Sequence, residues 1–376
     1  MGDIVSGGNR IQPSAGPTDL LLVGAGHTHL HLVRHATELV AAGYRVILLS
    51  PRTFHYSGTA SATAVGDVPA GVGRLEVGIL AANSGAEHHE GVLADIDLRK
   101  QIAVADDGTE LSFDVVSFNI GSVVAPSSMT VDRGVLGVKP LSSLSGLQGR
   151  LKDPGPGGGT RVTVVGGGSS GLELAAHLSL RPDVTQVHLI EAGPRLGPDL
   201  PAAAARHLER LLTTRGVKVR AGCEVLHLAE KSARCADGTA LVHDIAVLAT
   251  GLAAPCLVNE LGLGDRDGIP VRATLQHRDH ENVYAAGDCA HFLPRPLPRI
   301  GVHGVRQGPV LHASLLARVA GDPLPTYAPQ PLALSVLDLG AGIGLAVRGR
   351  RWWLGRSALL LKHWIDRRWL KQYRTH

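Results

Sequence analysis

Glycines at short, regular spacings are the residues of this chain whose type and position could do chemistry. They form two sets, each directly after an apolar run: Gly24 and Gly26 after residues 20–23, and Gly166, Gly168 and Gly171 after residues 163–165. Glycine has no side chain, so the backbone can approach a phosphate closely, and the free N–H groups of a following helix attract its negative charge. The two sets therefore predict two sites for phosphate-bearing dinucleotides.

Both sets lie within the order of strand, turn and helix that such a site requires. In the first set the helical pattern begins at His27, and we expect His27 and Thr28 to contact the ligand beside the glycines. His29 stands where the GxGxxG pattern has its third glycine, whereas the second set has all three. The first motif is therefore the less regular of the two.

The strand that follows each glycine turn usually ends on a carboxylate that binds the ribose hydroxyls. In the first unit that place holds Ser50, which can make one hydrogen bond, and Arg52 follows where it could cover an adenine. In the second unit the strand ends on Glu191, which would accept a bond from the ribose 2′-OH and repel a 2′-phosphate. The second site is therefore expected to favour NADH over NADPH, and the nearby Arg195 leaves that preference open.

Other strand ends supply further predicted contacts to the cofactors. These residues are Leu93, Gly121, Gly251, Gly287 and Asp288. The last two belong to the segment NVYAAGDCAHF at residues 282–292, where an acidic residue follows a strand.

Composition limits the class of protein. The chain has 376 residues, 44% of them hydrophobic, which suits a large core and two to three domains. Its four cysteines show no zinc-binding spacing, so we expect a reduced, intracellular protein. Residues 1–18 lack the apolar core of a signal peptide and are predicted to be a disordered lead-in.

The end of the chain differs from the rest. Residues 348–376 hold nine Lys or Arg against one acid, Asp366, together with all four tryptophans. Residues 332–347 are too short for a membrane span and are predicted to form a pair of strands. After them we expect an amphipathic helix with Ala358, Leu361, Ile365 and Trp369 on its stripe.

The stripe is widened by Leu354, Trp364 and Leu370, while Lys362, Arg367, Arg368, Lys371 and Arg374 lie off it. Tryptophans with cations favour an anionic membrane surface over nucleic acid, and docking on the body or on a second subunit stays open, as does a homodimer.

The order of these motifs resembles the flavoprotein pyridine nucleotide-disulfide oxidoreductases. The segments GAGHTHLHLVRH, SPRTFHYSG, NIGS and GVRQGPVLHASLL look most like the type II NADH dehydrogenase branch, in particular the module sometimes fused to selenophosphate synthetase. The resemblance implies an α/β fold with two Rossmann-like dinucleotide-binding domains, the second inserted in the first, and a small C-terminal α+β domain that ends in an amphipathic helix. It implies FAD in the first domain, where the Gly287-Asp288 strand would return, and NADH or NADPH in the second.

The expected division of the chain follows from that resemblance. The lead-in occupies residues 1–18, the FAD-binding domain 19–150 and 265–325, the NAD(P)H-binding domain 151–264 and the C-terminal domain 326–376.

The resemblance also suggests catalytic residues. Glu173 matches the glutamate near nicotinamide and flavin, and Gln307 matches the AxxQ element that borders a quinone pocket, although Gly304 replaces the alanine. The plainer readings are a helix N-terminal acid for Glu173 and a surface polar group for Gln307. No cysteine lies where the thiol-dependent members carry theirs, so thiol chemistry is not expected.

Histidines raise one more question. His27, His31 and His35 recur at helical spacing, which could gather a metal on one face. No carboxylate or cysteine joins them in the pattern, and His27 lies in the phosphate turn, so no metal is expected.

The leading hypothesis is an FAD-dependent NADH dehydrogenase that reduces a quinone-type acceptor, peripheral to the cytoplasmic face of the cell membrane. A soluble diaphorase that serves a protein acceptor is the first alternative. A nucleotide-sensing protein without turnover is the second.

Overall fold

The structure is a computed structural model that describes residues 16–126, 128–152 and 158–374. Most of the predicted lead-in and most of the Gly- and Pro-rich linker at residues 152–159 lie outside the described residues. The first part of the chain contains, in order, β1 (Thr18–Val23), α1 (His27–Arg34), α2 (Ala36–Ala41), β2 (Tyr44–Ser50), β3 (Thr53–His55), α3 (Ala60–Val65), β4 (Arg74–Glu76), α4 (Val77–Ser84), β5 (Glu87–Glu90), β6 (Leu93–Asp97), β7 (Ile102–Ala105), β8 (Glu110–Ser112), β9 (Val115–Phe118) and β10 (Val123–Val124).

The middle part contains β11 (Thr130–Val131), β12 (Leu136–Gly137), α5 (Leu147–Lys152), β13 (Thr160–Val165), α6 (Ser169–Leu178), β14 (Val184–Glu191), α7 (Ala202–Thr214), β15 (Lys218–Ala221), β16 (Val225–Leu228), β17 (Ser232–Cys235), β18 (Ala240–Val242), β19 (Ile245–Leu248) and β20 (Leu252–Ala253). The last part contains α8 (Leu257–Glu260), β21 (Ile269–Val271), β22 (Val283–Ala285), β23 (Ala290–Phe292), α9 (Gly301–Ala320), β24 (Leu334–Asp338), β25 (Gly344–Arg348), β26 (Arg351–Gly355) and α10 (Arg356–Leu370).

The first large sheet is parallel, with strand order β22-β9-β1-β2-β5. Residues 20–23 of its central strand, β1, are apolar and buried, as in parallel sheets whose faces are both covered. The outer strand β22 comes from the last part of the chain and pairs with β9. The chain thus leaves this sheet and returns to it, as the order of motifs predicts.

The second large sheet is also parallel, with strand order β12-β19-β13-β14-β15. Its edge strand β12 precedes residue 151, so pairing with the second sheet begins upstream of the expected start of that domain. Two short antiparallel strands, β10 and β20, pair with each other between the two sheets. The predicted α/β fold with an inserted second Rossmann-like domain is confirmed.

The C-terminal part bridges both units. Strands β24 and β25 form the predicted antiparallel pair. Leu337 and Leu345 from this pair join the core of the second unit, whereas Trp369 and Tyr373 join the core of the first. None of the described helices combines the length and the apolar character needed to cross a bilayer.

Two details of the predicted C-terminal helix are wrong. Residues 351–355 form strand β26, which pairs with β25 across the turn at Gly349, so the helix begins only at Arg356. Lys362, expected off the stripe, is buried, while Trp364 is 60% exposed. The face of α10 that docks on the body is therefore rotated from the predicted one.

Candidate functional site

A cavity of about 710 Å³ lies at the carboxyl ends of the strands of the first sheet. This is the edge at which open α/β sheets bind ligands, and the volume is within the usual range for cofactor sites. The wall includes eight of the predicted contact residues: Gly24, Gly26, His27, Arg52, Leu93, Gly121, Gly287 and Asp288. The structure thus brings together residues that are far apart in the chain.

Asn119 holds the first glycine turn in place. Its Oδ1 accepts hydrogen bonds from the backbone N–H groups of Thr28 and His29, at 3.0 and 3.3 Å, at the start of α1. Its Nδ2 donates to the carbonyl oxygen of Ala286 at 2.7 Å, just after β22. A Cβ on Gly24 would lie 2.7 Å from the Asn119 carbonyl oxygen, so only glycine fits there. Asn119 therefore caps the helix from a distance.

His29 explains the missing third glycine of the first motif. The side chain is fully buried, with Nδ1 2.6 Å from the carbonyl oxygen of Gly24 and Nε2 2.8 Å from the hydroxyl of Ser117. A carbonyl oxygen only accepts, so Nδ1 carries the proton and Nε2 accepts from Ser117. Burial lowers the pKa of His29 to about 4, which keeps the imidazole neutral. The hydrogen-bonded imidazole of His29 therefore occupies the place where a third glycine would let the helix and the strand pack closely.

Asp288 also lines the cavity, in the turn after β22. Ser122 Oγ donates to its Oδ2 at 2.8 Å, and Lys139 Nζ is 3.8 Å from the same oxygen. The backbone N–H of Gly287 donates to Oε1 of Gln307 at 2.7 Å. Gln307 is only 1% exposed, so the plainer reading of a surface polar group is wrong.

Two predicted contact residues lie outside the cavity wall. Thr28 is fully buried and its hydroxyl donates to the carbonyl oxygen of Gly304 at 2.7 Å. Ser50 is also fully buried, and its hydroxyl donates to the carbonyl oxygen of Pro51 at 3.1 Å. Both side chains are therefore buried in the protein and hydrogen-bonded to its backbone, and neither faces the cavity.

The second glycine turn has the geometry of a nucleotide site. Side chains on Gly166 and Gly171 would collide with Ala249 and with Gly166 respectively, while a Cβ on Gly168 would meet no atom within 4 Å. Gly251 likewise faces open space. The first two positions pack helix against strand, and Gly168 leaves its backbone free for a ligand.

Glu191 is tied to this turn. Its Oε2 accepts from the backbone N–H of Gly167 at 2.6 Å, and its Oε1 accepts from that of Gly193 at 2.7 Å. Arg195 does not compete, because its guanidinium donates to backbone carbonyl oxygens, including that of Gly197 at 2.6 Å. The guanidinium of Arg195, which left the nucleotide preference open in the sequence, is thus bound to backbone carbonyl oxygens.

Glu173 lies where α6 meets the C-terminal hairpin. Its Oε1 accepts from the backbone N–H of Asp338 at 2.7 Å, and Ser61 Oγ donates weakly to Oε2 at 3.4 Å. Burial raises the pKa of Glu173, although the ammonium of Lys362 and the Asp338 hydrogen bond oppose the shift. The carboxyl group of Glu173 thus links α6 to Ser61 and to the C-terminal hairpin at Asp338.

Helix α10 packs behind the cavity wall, where Trp369 contacts the wall residues His27 and Phe54. Trp369 stacks on Tyr56 with ring centroids 4.7 Å apart and lies 4.9 Å from the ring of His27. The Tyr56 hydroxyl donates to Oδ1 of Asp366 at 2.8 Å, and Lys362 Nζ donates to the carbonyl oxygen of Gly58 at 2.6 Å. The C-terminal helix is therefore part of the cavity's support.

The sequence reasoning missed Asn119, Ser122 and Lys139. Asn119 and Ser122 flank the predicted contact Gly121, so a polar residue directly after a buried strand was the available signal. Lys139 has no such signal, because only the fold brings it to Asp288.

Comparison with known proteins agrees with this geometry. A family model described as pyridine nucleotide-disulphide oxidoreductase matches residues 18–308. Ferroptosis suppressor protein 1 of Taeniopygia guttata is 27% identical over 230 residues, which cover 57% of this chain and 60% of that protein. The type II NADH:quinone oxidoreductase of Haemophilus influenzae is 28% identical over 148 residues, 35% of this chain and 33% of that one. The aligned regions thus span less than two thirds of either relative.

The fold has a close match among solved structures. NDH2 from Plasmodium falciparum in complex with NADH superposes with a TM-score of 0.79 at 13% identity, covering 95% of this chain and 97% of that one.

FAD and NAD(P)H, the cofactors of this family, fit the two sites. The large cavity beside Gly24, Gly26 and Asp288 would hold FAD, and the bare turn at Gly168, with Glu191 beside it, would hold the pyridine nucleotide. Over most of its length, and with glycine turns of the required geometry, the chain belongs to the pyridine nucleotide-disulphide oxidoreductase family and within it is similar to the type II NADH dehydrogenases.

Proposed function

We propose that the chain is an FAD-dependent oxidoreductase that takes electrons from NADH and passes them to a quinone-type acceptor. The observation that carries the proposal is the junction between the two sheets, where β10 pairs with β20. Gly121 precedes β10 and Gly251 precedes β20, and the backbone N–H of Ala125 donates to the carbonyl oxygen of Gly251 at 2.9 Å. The segments that follow β9 and β19, each strand the neighbour of the central strand of its sheet, therefore meet, which is what two reacting cofactors need.

The residues of the chain have distinct parts in this proposal. When bound, FAD supplies the acceptor for a hydride from the reduced nicotinamide. Gly24 and Gly26 would admit the pyrophosphate, and Asp288, to which Ser122 donates a hydrogen bond, would accept from hydroxyl groups of the cofactor. Gln307 fixes the backbone N–H of Gly287 and so holds that turn against the cavity.

NADH is the proposed donor in preference to NADPH. Glu191 presents a carboxylate at the end of β14, where a 2′-phosphate would meet a like charge. Arg195, the cation that could offset this charge, is bound to backbone carbonyl oxygens.

Glu173 is the proposed positioning group at the meeting of the two cofactors. Its carboxyl group joins α6, which begins at the second glycine turn, to the C-terminal hairpin. Lys362, whose charge acts on Glu173, extends this link to the first unit through Gly58. A change at Glu173 should therefore affect turnover more than the binding of either cofactor.

The exposed face of α10 is proposed to lie on an anionic membrane surface, from which the electron acceptor would come. On α10, Leu360 and Trp364 are one turn apart and are 64% and 60% exposed, and Arg367, Arg368 and Lys371 lie beside Trp364. Apolar side chains bordered by cations suit the headgroup boundary, where a lipid-soluble quinone is available. The corresponding location is the cytoplasmic face of the cell membrane.

A protein acceptor is the second candidate. The surface around Trp364 carries four cations, Arg34, Arg367, Arg368 and Lys371, which would attract an acidic electron-transfer protein. Steady-state rates with a short-chain quinone and with a ferredoxin-like protein distinguish the two. The quinone proposal expects a rate at least about tenfold higher with quinone, which corresponds to 1.4 kcal/mol in barrier height. Faster reduction of the protein would overturn it.

Anaerobic addition of NADH tests the redox assignment itself. We expect the yellow flavin absorbance to bleach and to return on addition of quinone. A flavin that stays oxidised would instead identify a nucleotide-sensing protein.

A further inference from the structure

Two buried cysteines of the second unit lie side by side. The Sγ atoms of Cys223 and Cys235 are 2.7 Å apart, and the two residues are 7% and 2% exposed. They are twelve residues apart in the chain, so no CxxC spacing reveals them, and the antiparallel strands β16 and β17 bring them together. The pair thus offers thiol chemistry at a place that the proposed reaction does not use.

The backbone holds the two side chains against each other. Cys223 lies two residues before the start of β16, and Cys235 is the last residue of β17. The backbone N–H of Ala236 donates to the carbonyl oxygen of Glu224 at 2.8 Å, and that of Cys235 donates to the carbonyl oxygen of Thr239 at 2.8 Å. These bonds fix the chain next to both cysteines, so the sulfur atoms stay adjacent without a bond between them.

The surroundings of the pair favour a disulfide bond over a metal ion. Asp237 has a carboxylate oxygen within 4.8 Å of both sulfur atoms, which makes three ligands among the described residues, whereas structural Zn²⁺ sites take four. Zn–S bonds of about 2.3 Å would also put the two sulfur atoms roughly 3.8 Å apart. The observed 2.7 Å is closer to the S–S bond length of about 2.05 Å. A disulfide is uncharged and therefore suits the apolar core that both cysteines join.

The pair is joined to the nucleotide site through the end of β15. The backbone N–H of Cys223 donates to the carbonyl oxygen of Glu191 at 3.0 Å, and that of Gly222 donates to the carbonyl oxygen of Gly193 at 2.7 Å. The Glu191 carboxylate in turn binds the N–H groups of Gly167 and Gly193 at the second glycine turn. A covalent bond at Cys223 would therefore fix the backbone that carries the proposed ribose-binding acid.

We propose that Cys223 and Cys235 form a reversible disulfide bond on exposure to hydrogen peroxide, and that this bond tightens the binding of the pyridine nucleotide. The Cys223 thiolate attacks one peroxide oxygen and the O–O bond breaks, which leaves a sulfenic acid on Cys223. The departing hydroxide takes up the proton that Cys223 released and becomes water. The Cys235 sulfur then attacks the Cys223 sulfur, and the sulfenic hydroxyl leaves with the Cys235 proton as a second water. Two thiols are thereby oxidised and one peroxide is reduced.

Burial sets the speed of this reaction. Burial and the contact with Cys223 raise the pKa of Cys235 to about 12, so Cys235 keeps its proton near neutral pH, and Cys223 is the more exposed of the two. The turn at Asp237 and Gly238, which follows Cys235 closely, is exposed, and such turns open locally. We therefore expect slow oxidation that requires sustained exposure to peroxide. The bond itself does not rest on the proposed function, whereas its effect on the nucleotide does.

Counting free thiols in the holoprotein before and after peroxide treatment tests the bond. The exposed Cys256 is first replaced in Cys256→Ser, so that only the three buried cysteines are counted. We expect the count to fall from three to one, and dithiothreitol to restore it by exchange. The remaining thiol should be that of Cys289, which lies against the carbonyl oxygens of Phe118 and Ala286 and is the internal control. Three free thiols after treatment would overturn the proposal.

Peptide mapping identifies the bond without any change at the pair itself. Trypsin cleaves after lysine and arginine, so Cys223 and Cys235 fall on separate peptides, residues 221–231 and 235–266. In Cys256→Ser we expect these two peptides to be joined after peroxide and separate after dithiothreitol. A bond to Cys289 would overturn the proposal, and so would a tightly held metal ion that protects both thiols from peroxide.

Calorimetric titration with NAD⁺, which binds without reducing the flavin, tests the link to the nucleotide site. The oxidised protein should bind NAD⁺ at least roughly threefold more tightly than the reduced protein, because the bond restricts motion that binding would otherwise have to arrest. The control is Cys235→Ser/Cys256→Ser, which should bind like the reduced protein with or without peroxide. Equal affinity of the oxidised and reduced proteins would overturn the link, whereas no binding of NAD⁺ by either would contradict the proposed function.

Discussion

Replacing Asn119 with alanine removes the side chain that joins the first glycine turn to the returning strand β22. Its amide group accepts from the N–H groups of Thr28 and His29 and donates to the carbonyl oxygen of Ala286, all buried. Loss of a helix cap costs about 0.5–2 kcal/mol, and a buried carbonyl left without a partner costs about 1–3 kcal/mol. Together the two losses should lower the free energy of unfolding by about 1.5–5 kcal/mol.

Urea unfolding of the holoprotein, followed by circular dichroism and by release of flavin fluorescence, measures this effect. Asn282→Ala is the matched control, because its Nδ2 makes a single exposed bond, 3.3 Å from the carbonyl oxygen of Asp114 at the other end of the same sheet. The control should stay within about 0.5 kcal/mol of the wild type. Asn119→Asp keeps an acceptor for α1 but places an oxygen against the carbonyl oxygen of Ala286, so it should also unfold at a lower urea concentration than the wild type.

The reasoning would be refuted if Asn119→Ala unfolded at the same urea concentration as the wild type and kept its FAD. That result would mean that the helix N–H groups find other partners when the amide is absent.

Three further predictions follow from the site. Glu191→Ala should raise KM for NADH at least about tenfold, equal to 1.4 kcal/mol, without changing FAD content, and steady-state kinetics with a flavin assay check both. Burial raises the pKa of Glu173 above 4.5, so the wild type should lose stability relative to Glu173→Gln as the pH rises from 4.5. Thermal melts of the two proteins in parallel that show no such trend would contradict this. Because burial lowers the pKa of His29 from 6.5 to about 4, the wild type should lose up to roughly 3 kcal/mol of stability relative to His29→Gln as the pH falls through that interval, which urea titrations at each pH measure.

The sequence predicts the parts of the site that depend on local chemistry. Gly24 lies in a turn that only glycine fits, Gly168 leaves its backbone open beside the second turn, and Glu191 ends β14 and binds that turn, so these residue types within a few positions are readable along the chain. Ser50 shows the limit of that logic. Its place at the end of β2 is as expected, but the alternation of the strand turns its side chain toward His88 and away from the cavity.

Contacts between distant segments are invisible in the pattern. Asn119 binds residues 90 and 167 positions away, and the carboxylate of Glu38 reaches His312 only because α9 crosses α1 and α2. The start of the C-terminal helix illustrates another cause of error. Gly349 begins a two-residue hairpin loop that lets residues 351–355 pair as a strand, a signal hidden among the surrounding arginines.

The return of the chain to its first sheet has a consequence for synthesis. Strand β9 ends at Phe118, but its partner β22 begins at Val283, so one edge of the sheet waits unpaired while the ribosome makes some 160 more residues. At about 5–20 residues per second this interval lasts roughly 10–30 s, during which an apolar edge is open to wrong partners. A chaperone that shields nascent chains should therefore raise the yield of this protein more than that of a protein whose sheet closes in sequence order.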